Sequence, residues 1–184
     1  MSKRNTKQLI LKAAKEAFSK KGYDAVSIDE IAQIAGVRKS LIYYYFPSKE
    51  ALFEEVWVNS IEELENEIFG VSKDEPTYIS KIKNFLRRYI DFLTSKKEIS
   101  ELLRKEKAKV LDQDNWVNAK DRYEGFLKKI EMLIIEGKNK NVIKEDVDPK
   151  AATEMIASVD SVPRKSLLRA VENMLIKILL KDNT

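Results

Sequence analysis

Apolar residues recur every three or four positions through most of the chain, a spacing that predicts helices and not strands. The clearest pair of helices begins at Ser27, which forms a capping-box pattern with Glu30 and predicts a helix starting at the next residue. Gly36 stands where that helix should end in a left-handed residue. A second helix starts around Arg38 and should end before Pro47. Two short helices joined by a glycine turn predict a helix-turn-helix, whose second helix enters a DNA major groove.

The same periodicity predicts helices on both sides of this pair, and the chain has only five glycines and four prolines for turns. The fold class is therefore predicted to be all-α, with an N-terminal three-helix bundle and a larger C-terminal helical domain. The predicted domain boundaries are residues 1–48 and 49–184, with about nine helices in all. The other predicted helices include four that span about 6–21, 49–68, 76–94 and 97–111, the first of them capped by Thr6. A further helix is predicted to be capped by Asp114 or Asn115 and to end before Gly137. Asp148 is predicted to cap a helix that begins at Pro149, and a final helix follows Pro163.

Composition narrows the function classes. The chain has no cysteine and no histidine, so it lacks disulfides, the commonest metal ligand and the commonest catalytic base. We therefore predict no metal, no cofactor and no catalytic residues, and expect that the protein is not an enzyme. No apolar run approaches the roughly 20 residues that a membrane-spanning helix needs, and the first residues lack a signal core. The predicted location is the cytoplasm.

The positive charge is concentrated at the N-terminal end. The net charge is +4, and residues 1–50 hold ten Lys and Arg against five Asp and Glu, whereas the remainder holds 24 against 25. An ordinary solvated surface is one interpretation of such an excess. Its coincidence with the helix-turn-helix favours the other, a surface that binds nucleic-acid phosphates.

The second helix of the motif divides into two sides. Ile42 and Phe46 should face the core, and Tyr45 is expected to pack there in part. The residues on the other side are predicted to face DNA: Arg38, Lys39, Ser40, Leu41, Tyr43 and Tyr44. Arg and Lys bond guanine edges, and tyrosine hydroxyls bond phosphate. Packing is the alternative for the two tyrosines, although large aromatic residues seldom lie exposed in pairs without a partner.

A longer set of residues resembles the TetR family of transcriptional regulators over the first quarter to third of the chain. The residues that carry it are Phe18, Gly22-Tyr23, VSIDEIA from Val26, Ala35-Gly36-Val37, Lys39 through Phe46, and SKEAL from Ser48. The resemblance implies that Tyr43 and Lys49 contact phosphate, and that Lys39, Ser40, Leu41 and Tyr44 lie on or near base edges. Ser27 opens a helix whose free amides suit phosphate. Arg38, Ser40 and Leu41 differ from the residues frequent in the family, which leaves the DNA target open.

The resemblance also implies a second domain that encloses a small-molecule pocket and a pair of final helices that form a homodimer. Four residues with an apolar face and a polar tip are candidates for the pocket wall, with core packing as the alternative: Tyr78, Tyr89, Trp116 and Tyr123. The final helices, roughly Lys150 to Leu180, are assigned to the dimer, with closure of the monomer core as the alternative. The candidate interface residues are Met155, Val159, Leu168, Val171, Leu175 and Ile178.

The predicted function is a dimeric DNA-binding regulator, a repressor released from a palindromic operator by a small-molecule effector. The effector's signal is expected to travel through the helix predicted at 49–68. A constitutive DNA-binding protein without an effector is one alternative. A small-molecule carrier or enzyme on a helical scaffold is the other, and it would act without binding DNA.

Overall fold

A computed structural model describes residues 3–70, 76–162 and 165–181 of the 184-residue chain. Nine α-helices lie within these residues, so the predicted all-α class is confirmed. They are α1 Lys3–Lys21, α2 Ile28–Ala35, α3 Lys39–Tyr45, α4 Lys49–Phe69, α5 Tyr78–Ser95, α6 Lys97–Asp112, α7 Val117–Asn139, α8 Pro149–Ala157 and α9 Leu168–Leu179. Two 3₁₀ turns, Ser158–Ser161 and Lys165–Leu167, lie between α8 and α9. The helix boundary predicted at Pro163 lies outside the described residues. None of the described helices is long and apolar enough to cross a bilayer.

The chain forms two compact units. The first unit contains Met1–Glu62 and Lys96–Arg122, and the second contains Glu63–Ser95 and Tyr123–Thr184. The helix α6 therefore packs with the N-terminal helices in the first unit. The division predicted from the sequence, into a DNA-binding domain up to residue 48 and an effector-binding and dimerisation domain after it, is a functional one and stays a prediction.

Aromatic rings fill the centre of the first unit. Phe53 packs edge-on against Phe18, with ring centroids 5.3 Å apart, and Tyr23 and Trp116 lie 5.0 and 4.8 Å from Phe53. The indole of Trp57 is buried and donates a hydrogen bond to the Ala119 carbonyl at 3.2 Å. The indole N–H of Trp116 is also buried, but it has no acceptor among the described residues. A buried donor without a partner costs about 1–3 kcal/mol.

The second unit buries the apolar stripe of α5. Phe85 and Tyr89 stack along this helix, with ring centroids 6.3 Å apart, and Tyr89 lies 6.4 Å from Phe126 of α7. The cap predicted for α8 is confirmed, since the Asp148 side chain accepts a hydrogen bond from the Ala151 N–H at 2.7 Å.

The C-terminal end predicted for α7 is wrong. The helix does not end before Gly137 but continues to Asn139. A Cβ atom on Gly137 would lie 2.7 Å from Cδ1 of Ile143 and 3.1 Å from Cδ1 of Ile82. This glycine therefore permits close packing, and the left-handed residue after the helix is Asn141, with φ of 59°.

Two predicted helix starts are also corrected. The start of α7 is Val117, and neither Asp114 nor Asn115 caps it, because a carboxylate from α4 takes that role. Oε1 of Glu54 accepts hydrogen bonds from the backbone amides of residues 118 and 119, at 3.0 and 3.2 Å. The helix α1 begins at Lys3, ahead of the predicted cap Thr6, which is buried within the helix.

Candidate nucleic-acid interface

Local signals position α2 as predicted. Ser27 is extended, with φ of −102° and ψ of 155°, and its hydroxyl accepts the backbone N–H of Glu30 at 3.1 Å. Gly36 ends the helix at φ of 64°, the left-handed region that glycine adopts without strain. Ile28 and Ile31 are buried beneath the helix. Asp29 in the first turn of α2 is exposed, and the N-terminal end of a helix is where backbone amides favour an anion.

The recognition helix α3 buries little of its own surface. Ile42 has no exposed area and Phe46 has 2%, so the predicted inward side is confirmed by burial. Tyr43 is 46% exposed and Tyr44 is 65% exposed. Tyr45 is half-buried, and its ring lies 5.1 Å from that of Tyr44 in an edge-on arrangement. The other predicted contacts lie on the accessible side, with Leu41 half-buried and three residues exposed: Arg38, Lys39 and Ser40.

An ion pair links the two helices of the motif. Nζ of Lys39, the first residue of α3, lies 2.7 Å from Oδ2 of Asp29 in the first turn of α2. Both side chains are exposed. The hydrogen bond to Asp29 raises the pKa of Lys39, so the ammonium group stays protonated. A carboxylate thus lies beside a predicted base-contacting cation, which the sequence pattern did not indicate.

Lys49, a predicted phosphate contact, lies over the ring of Tyr23. Its Nζ is 4.3 Å from the centroid of the Tyr23 ring, a cation–π distance. The Tyr23 hydroxyl donates to Oε1 of Glu50 at 2.7 Å, and this bond lowers the pKa of Glu50. Burial is the main cause that raises the pKa of Tyr23. Tyr23 is therefore a structural residue that connects α4 to the turn after α1.

A second support comes from α6, and sequence reasoning missed it. Glu106 is buried, and its Oε1 accepts the backbone N–H of Tyr23 at 2.9 Å. Gly22, at φ of 82°, makes this approach possible, because a Cβ atom there would lie 2.8 Å from the same oxygen. The carboxylate therefore holds the turn between α1 and α2.

Two lysines of α6, Lys105 and Lys109, also bond the end of α1 and the turn that follows it. We call these two lysines together with Glu106 the α6 clamp. Nζ of Lys105 donates to the carbonyls of Ser19 and Lys20, at 2.6 and 2.5 Å, where the last turn of α1 leaves acceptors free. Lys109 pairs with Asp24. In the sequence these residues resemble a solvated charged face, because periodicity does not reveal a buried carboxylate.

The four predicted pocket residues lie in different surroundings. Trp116 belongs to the aromatic core of the first unit. Tyr89 and Tyr123 are buried in the second unit, where burial raises the pKa of both hydroxyls. The hydroxyl of Tyr78 donates to the Leu133 carbonyl at 2.7 Å. Their role in ligand binding stays a prediction.

An open cleft of about 600 Å³ lies in the second unit, and its wall includes Leu133, whose carbonyl accepts the Tyr78 hydroxyl. Its wall combines apolar side chains with two lysines that already have acidic partners. Lys129 lies 2.8 Å from Glu65, and Lys81 lies 3.6 Å from Glu136. The lining residues are Phe69, Lys81, Lys129, Met132, Leu133, Ile135, Glu136 and Asn139. Such a cleft can accept a ligand with an apolar body and an acidic group.

The predicted dimer residues divide by burial. Val159, Leu168 and Leu175 are at most 3% exposed in the single chain, so they fill its own core. Val171 is half-buried, and Met155 and Ile178 are exposed. Two further exposed apolar residues nearby in sequence, Leu167 and Met174, were not among the predictions.

Residues 10–56 match the family of bacterial regulatory proteins described as the tetR family. The chain is 41% identical over 58 residues to the uncharacterized HTH-type transcriptional regulator YhgD of Bacillus subtilis, over 32% of this chain and 30% of that protein. The chain thus spans under a third of that relative's length.

A longer match joins the chain to the fatty acid metabolism regulator protein of Bacillus subtilis. The two are 28% identical over 152 residues, which cover 80% of this chain and 75% of the relative. Among solved structures, the fatty acid degradation regulator FadR of Bacillus halodurans aligns with a TM-score of 0.78. That alignment covers 96% of this chain and 97% of the other at 19% identity, which establishes a shared fold.

Proposed function

Because the chain belongs to the TetR family of bacterial regulatory proteins, we propose that it is a homodimeric transcriptional regulator that binds a palindromic DNA operator and is released by a small-molecule effector. The observation that carries this proposal is the exposed side of α3, where cations and two phenols lie over a buried Ile42. The exposed cations and phenols are complementary to both the phosphates and the base edges of DNA.

The DNA contacts divide by chemistry. Tyr43, Lys49 and the amide-bearing start of α2 at Ser27 are proposed to hold phosphates. Lys39, Ser40 and Tyr44 are proposed to approach base edges, with Arg38 and Leu41 on the same side of α3. One recognition helix reads too few base pairs for specificity. A dimer that presents two copies about one helical turn apart, or somewhat more, would read a palindrome.

The proposed dimer interface uses the side of α8 and α9 that remains apolar and accessible. It includes Met155, Leu167, Met174 and Ile178 from the exposed set. Val159, Leu168 and Leu175 would support this surface from beneath, and Val171 would lie at its edge. A two-fold partner would cover the same residues with their own copies, which makes such a surface self-complementary.

We place the effector in the cleft of the second unit. Its apolar wall and its two lysines suit an amphipathic acid such as a long-chain fatty acid. The Bacillus subtilis relative that matches over 152 residues is named for fatty acid metabolism, which supports this choice of ligand class. Since both lysines already pair with glutamates, the acid would have to share or replace those partners.

The effector's signal is proposed to reach the DNA-binding residues by two helices. The helix α4 runs from Lys49 to Phe69 and belongs to both units, and the α6 clamp holds the turn between α1 and α2. A change in the position of either helix would move the Tyr23 ring beneath Lys49. To convert a dimer from 99% competent to 1% competent, the effector must bind the incompetent state about 10⁴-fold more tightly, or about 5.5 kcal/mol.

Selection of bound fragments from random double-stranded DNA tests the regulator proposal. We expect recovery of a palindrome whose half-sites lie about one helical turn apart or somewhat more. Enrichment of an asymmetric motif would contradict the dimeric mode of binding. Affinity without any sequence preference would indicate a constitutive, nonspecific DNA-binding protein.

Release of the selected DNA by saturated fatty acids of increasing chain length tests the effector class. We expect Lys129→Gln to weaken the response, because it removes a cation from the cleft wall. Lys128→Gln is the matched control, since Lys128 pairs with Glu131 and does not line the cleft. An equal response of both variants would contradict the proposed site, and DNA binding unaffected by any of these acids would contradict the ligand class.

A further inference from the structure

The Asp29–Lys39 ion pair places a carboxylate on the surface proposed to bind DNA. Asp29 is in the first turn of α2, where backbone amides and the helix dipole favour an anion. Lys39 opens α3, the helix proposed to lie in the major groove. A phosphate approaching α2 would therefore meet a fixed negative charge, and it would find the neighbouring lysine already paired.

The pair is suited to exchange because both side chains are exposed and no burial locks them together. An exposed ion pair contributes little to folding stability. Its cost to DNA binding is larger, because attraction to phosphates depends on the number of protein cations that are free to neutralise them. A base edge that accepts the lysine's hydrogen bonds can compensate for the lost carboxylate, whereas an arbitrary sequence offers that acceptor only by chance.

We propose that Asp29 is a specificity-determining residue, which weakens binding to arbitrary DNA by holding Lys39 and repelling phosphate, and which releases the lysine where the operator presents a matching acceptor. This inference rests on the proposed DNA-binding function. Asp29 itself acts through Lys39 and through charge repulsion, and it need not touch a base.

Asp29→Asn tests the inference, and Glu16→Gln is its matched control. Both changes replace an exposed or half-buried carboxylate of the first unit by its isosteric amide, and both free a lysine, since Glu16 lies 2.6 Å from Lys20 within α1. Each adds one unit of net charge per subunit, so a general electrostatic effect would appear in both. Asp29→Ser provides a second substitution at the same position.

The affinity of each variant is measured for the selected operator and for scrambled DNA over a range of salt concentrations. We expect Asp29→Asn to bind scrambled DNA about 3- to 10-fold more tightly and to gain less on the operator, so that the specificity ratio falls. The salt dependence on scrambled DNA should steepen by about 0.9 per subunit, as one additional neutralised phosphate predicts. Glu16→Gln should leave the specificity ratio unchanged.

A double variant that combines Asp29→Asn with Lys39→Gln tests whether Asp29 acts through Lys39. If Asp29 acts through Lys39, the substitution at 29 should alter the specificity ratio less once the lysine is absent. Equal behaviour of Asp29→Asn and Glu16→Gln, or weaker binding of scrambled DNA by Asp29→Asn, would overturn the inference. Wild-type protein is measured first, because its failure to bind any DNA would overturn the proposed function as well.

Discussion

The helices α3 and α9 each bury one stripe and expose the other, but the exposed chemistry differs. α3 covers Ile42 and presents cations, a hydroxyl and phenols. α9 covers Leu175 and Leu179 and presents Met174, which is 59% exposed, and Ile178. The first surface suits a hydrated polyanion, whereas the second gains most from another apolar surface. The buried stripes alone would not distinguish these two roles.

Added salt should weaken DNA binding by α3 far more than dimerisation through α9, and this is the largest difference that we expect between the two surfaces. Between about 50 and 200 mM monovalent salt, DNA affinity should fall about 10³- to 10⁵-fold if the dimer makes about six to ten phosphate contacts. Dimerisation through an apolar surface should change little over the same range. Fluorescence anisotropy measures the first and sedimentation equilibrium the second. Dissociation of the dimer by moderate salt would show that its interface is ionic and contradict the comparison.

Charges placed on α9 should break the apolar surface. The double variant Met174→Asp with Ile178→Asp should weaken dimerisation about 10³-fold or more, because unpaired carboxylates would be buried on both sides of a two-fold axis. Sedimentation velocity measures the shift to monomer. Met132→Asp is the control, since Met132 is 60% exposed on α7, outside the proposed interface. A dimer that survives the double change would place the interface elsewhere.

Removal of two proposed phosphate contacts should damage DNA binding and leave assembly intact. Tyr43→Ala with Lys49→Ala should cost about 2–3 kcal/mol of affinity, similarly for operator and scrambled DNA, because phosphates carry little sequence information. Lys128→Ala removes an exposed cation from the second unit and should change neither affinity. Affinity unchanged in the double variant would instead support a carrier or enzyme that does not use this surface.

Acid should weaken the hydrogen bond between Tyr23 and Glu50, and we expect this effect to be the smallest of those described. The pKa of Glu50 is lowered in the folded chain by the Tyr23 hydroxyl, so this link stabilises folding above the unfolded pKa of about 4.3 and is lost as pH falls through the folded value. Tyr23→Phe should therefore lower the unfolding free energy by under about 1 kcal/mol at pH 7, and by less in acid. Thermal unfolding of Tyr43→Phe, an exposed tyrosine, provides the comparison. An effect of Tyr23→Phe that is independent of pH would contradict the link.

The sequence predicted α2 and α3 well because their signals are local. The Ser27 cap acts on Glu30, and Gly36 ends the same helix by its own conformation. Ile42 is buried by the helical spacing that also exposes its neighbours. Each of these effects is complete within one helix and its flanking residues. Whether the exposed residues contact DNA is not contained in that information, and it stays a prediction.

The errors come from partners distant in sequence. The start of α7 was misplaced because its capping carboxylate is Glu54, in α4. The prediction that a helix ends before Gly137 is wrong because the approach of Ile143 and Ile82 cannot be read from spacing. The α6 clamp was missed for the same reason, since burial of Glu106 depends on the turn that it contacts.

The dimer residues illustrate a limit of periodicity. A regular apolar stripe marks the side of a helix that its own chain buries first, and Val159, Leu168 and Leu175 obey this rule. A surface for a second copy must come from apolar residues that remain outside the stripe, such as Met174. Their number in the sequence is too small for the pattern to identify them.

Both tryptophans of the chain, Trp57 and Trp116, lie in the first unit, whereas the cleft proposed for the effector lies in the second. Within the part of the chain that the structure describes, the buried indole N–H of Trp116 has no acceptor, and the rings of Tyr23 and Phe53 lie 4.9 and 4.8 Å from the indole. Its ultraviolet emission should therefore respond to small displacements of these rings. The natural chain thus carries an optical probe on one side of the proposed signalling route and its trigger on the other. A change in indole emission on ligand addition would report transmission between them without any attached dye.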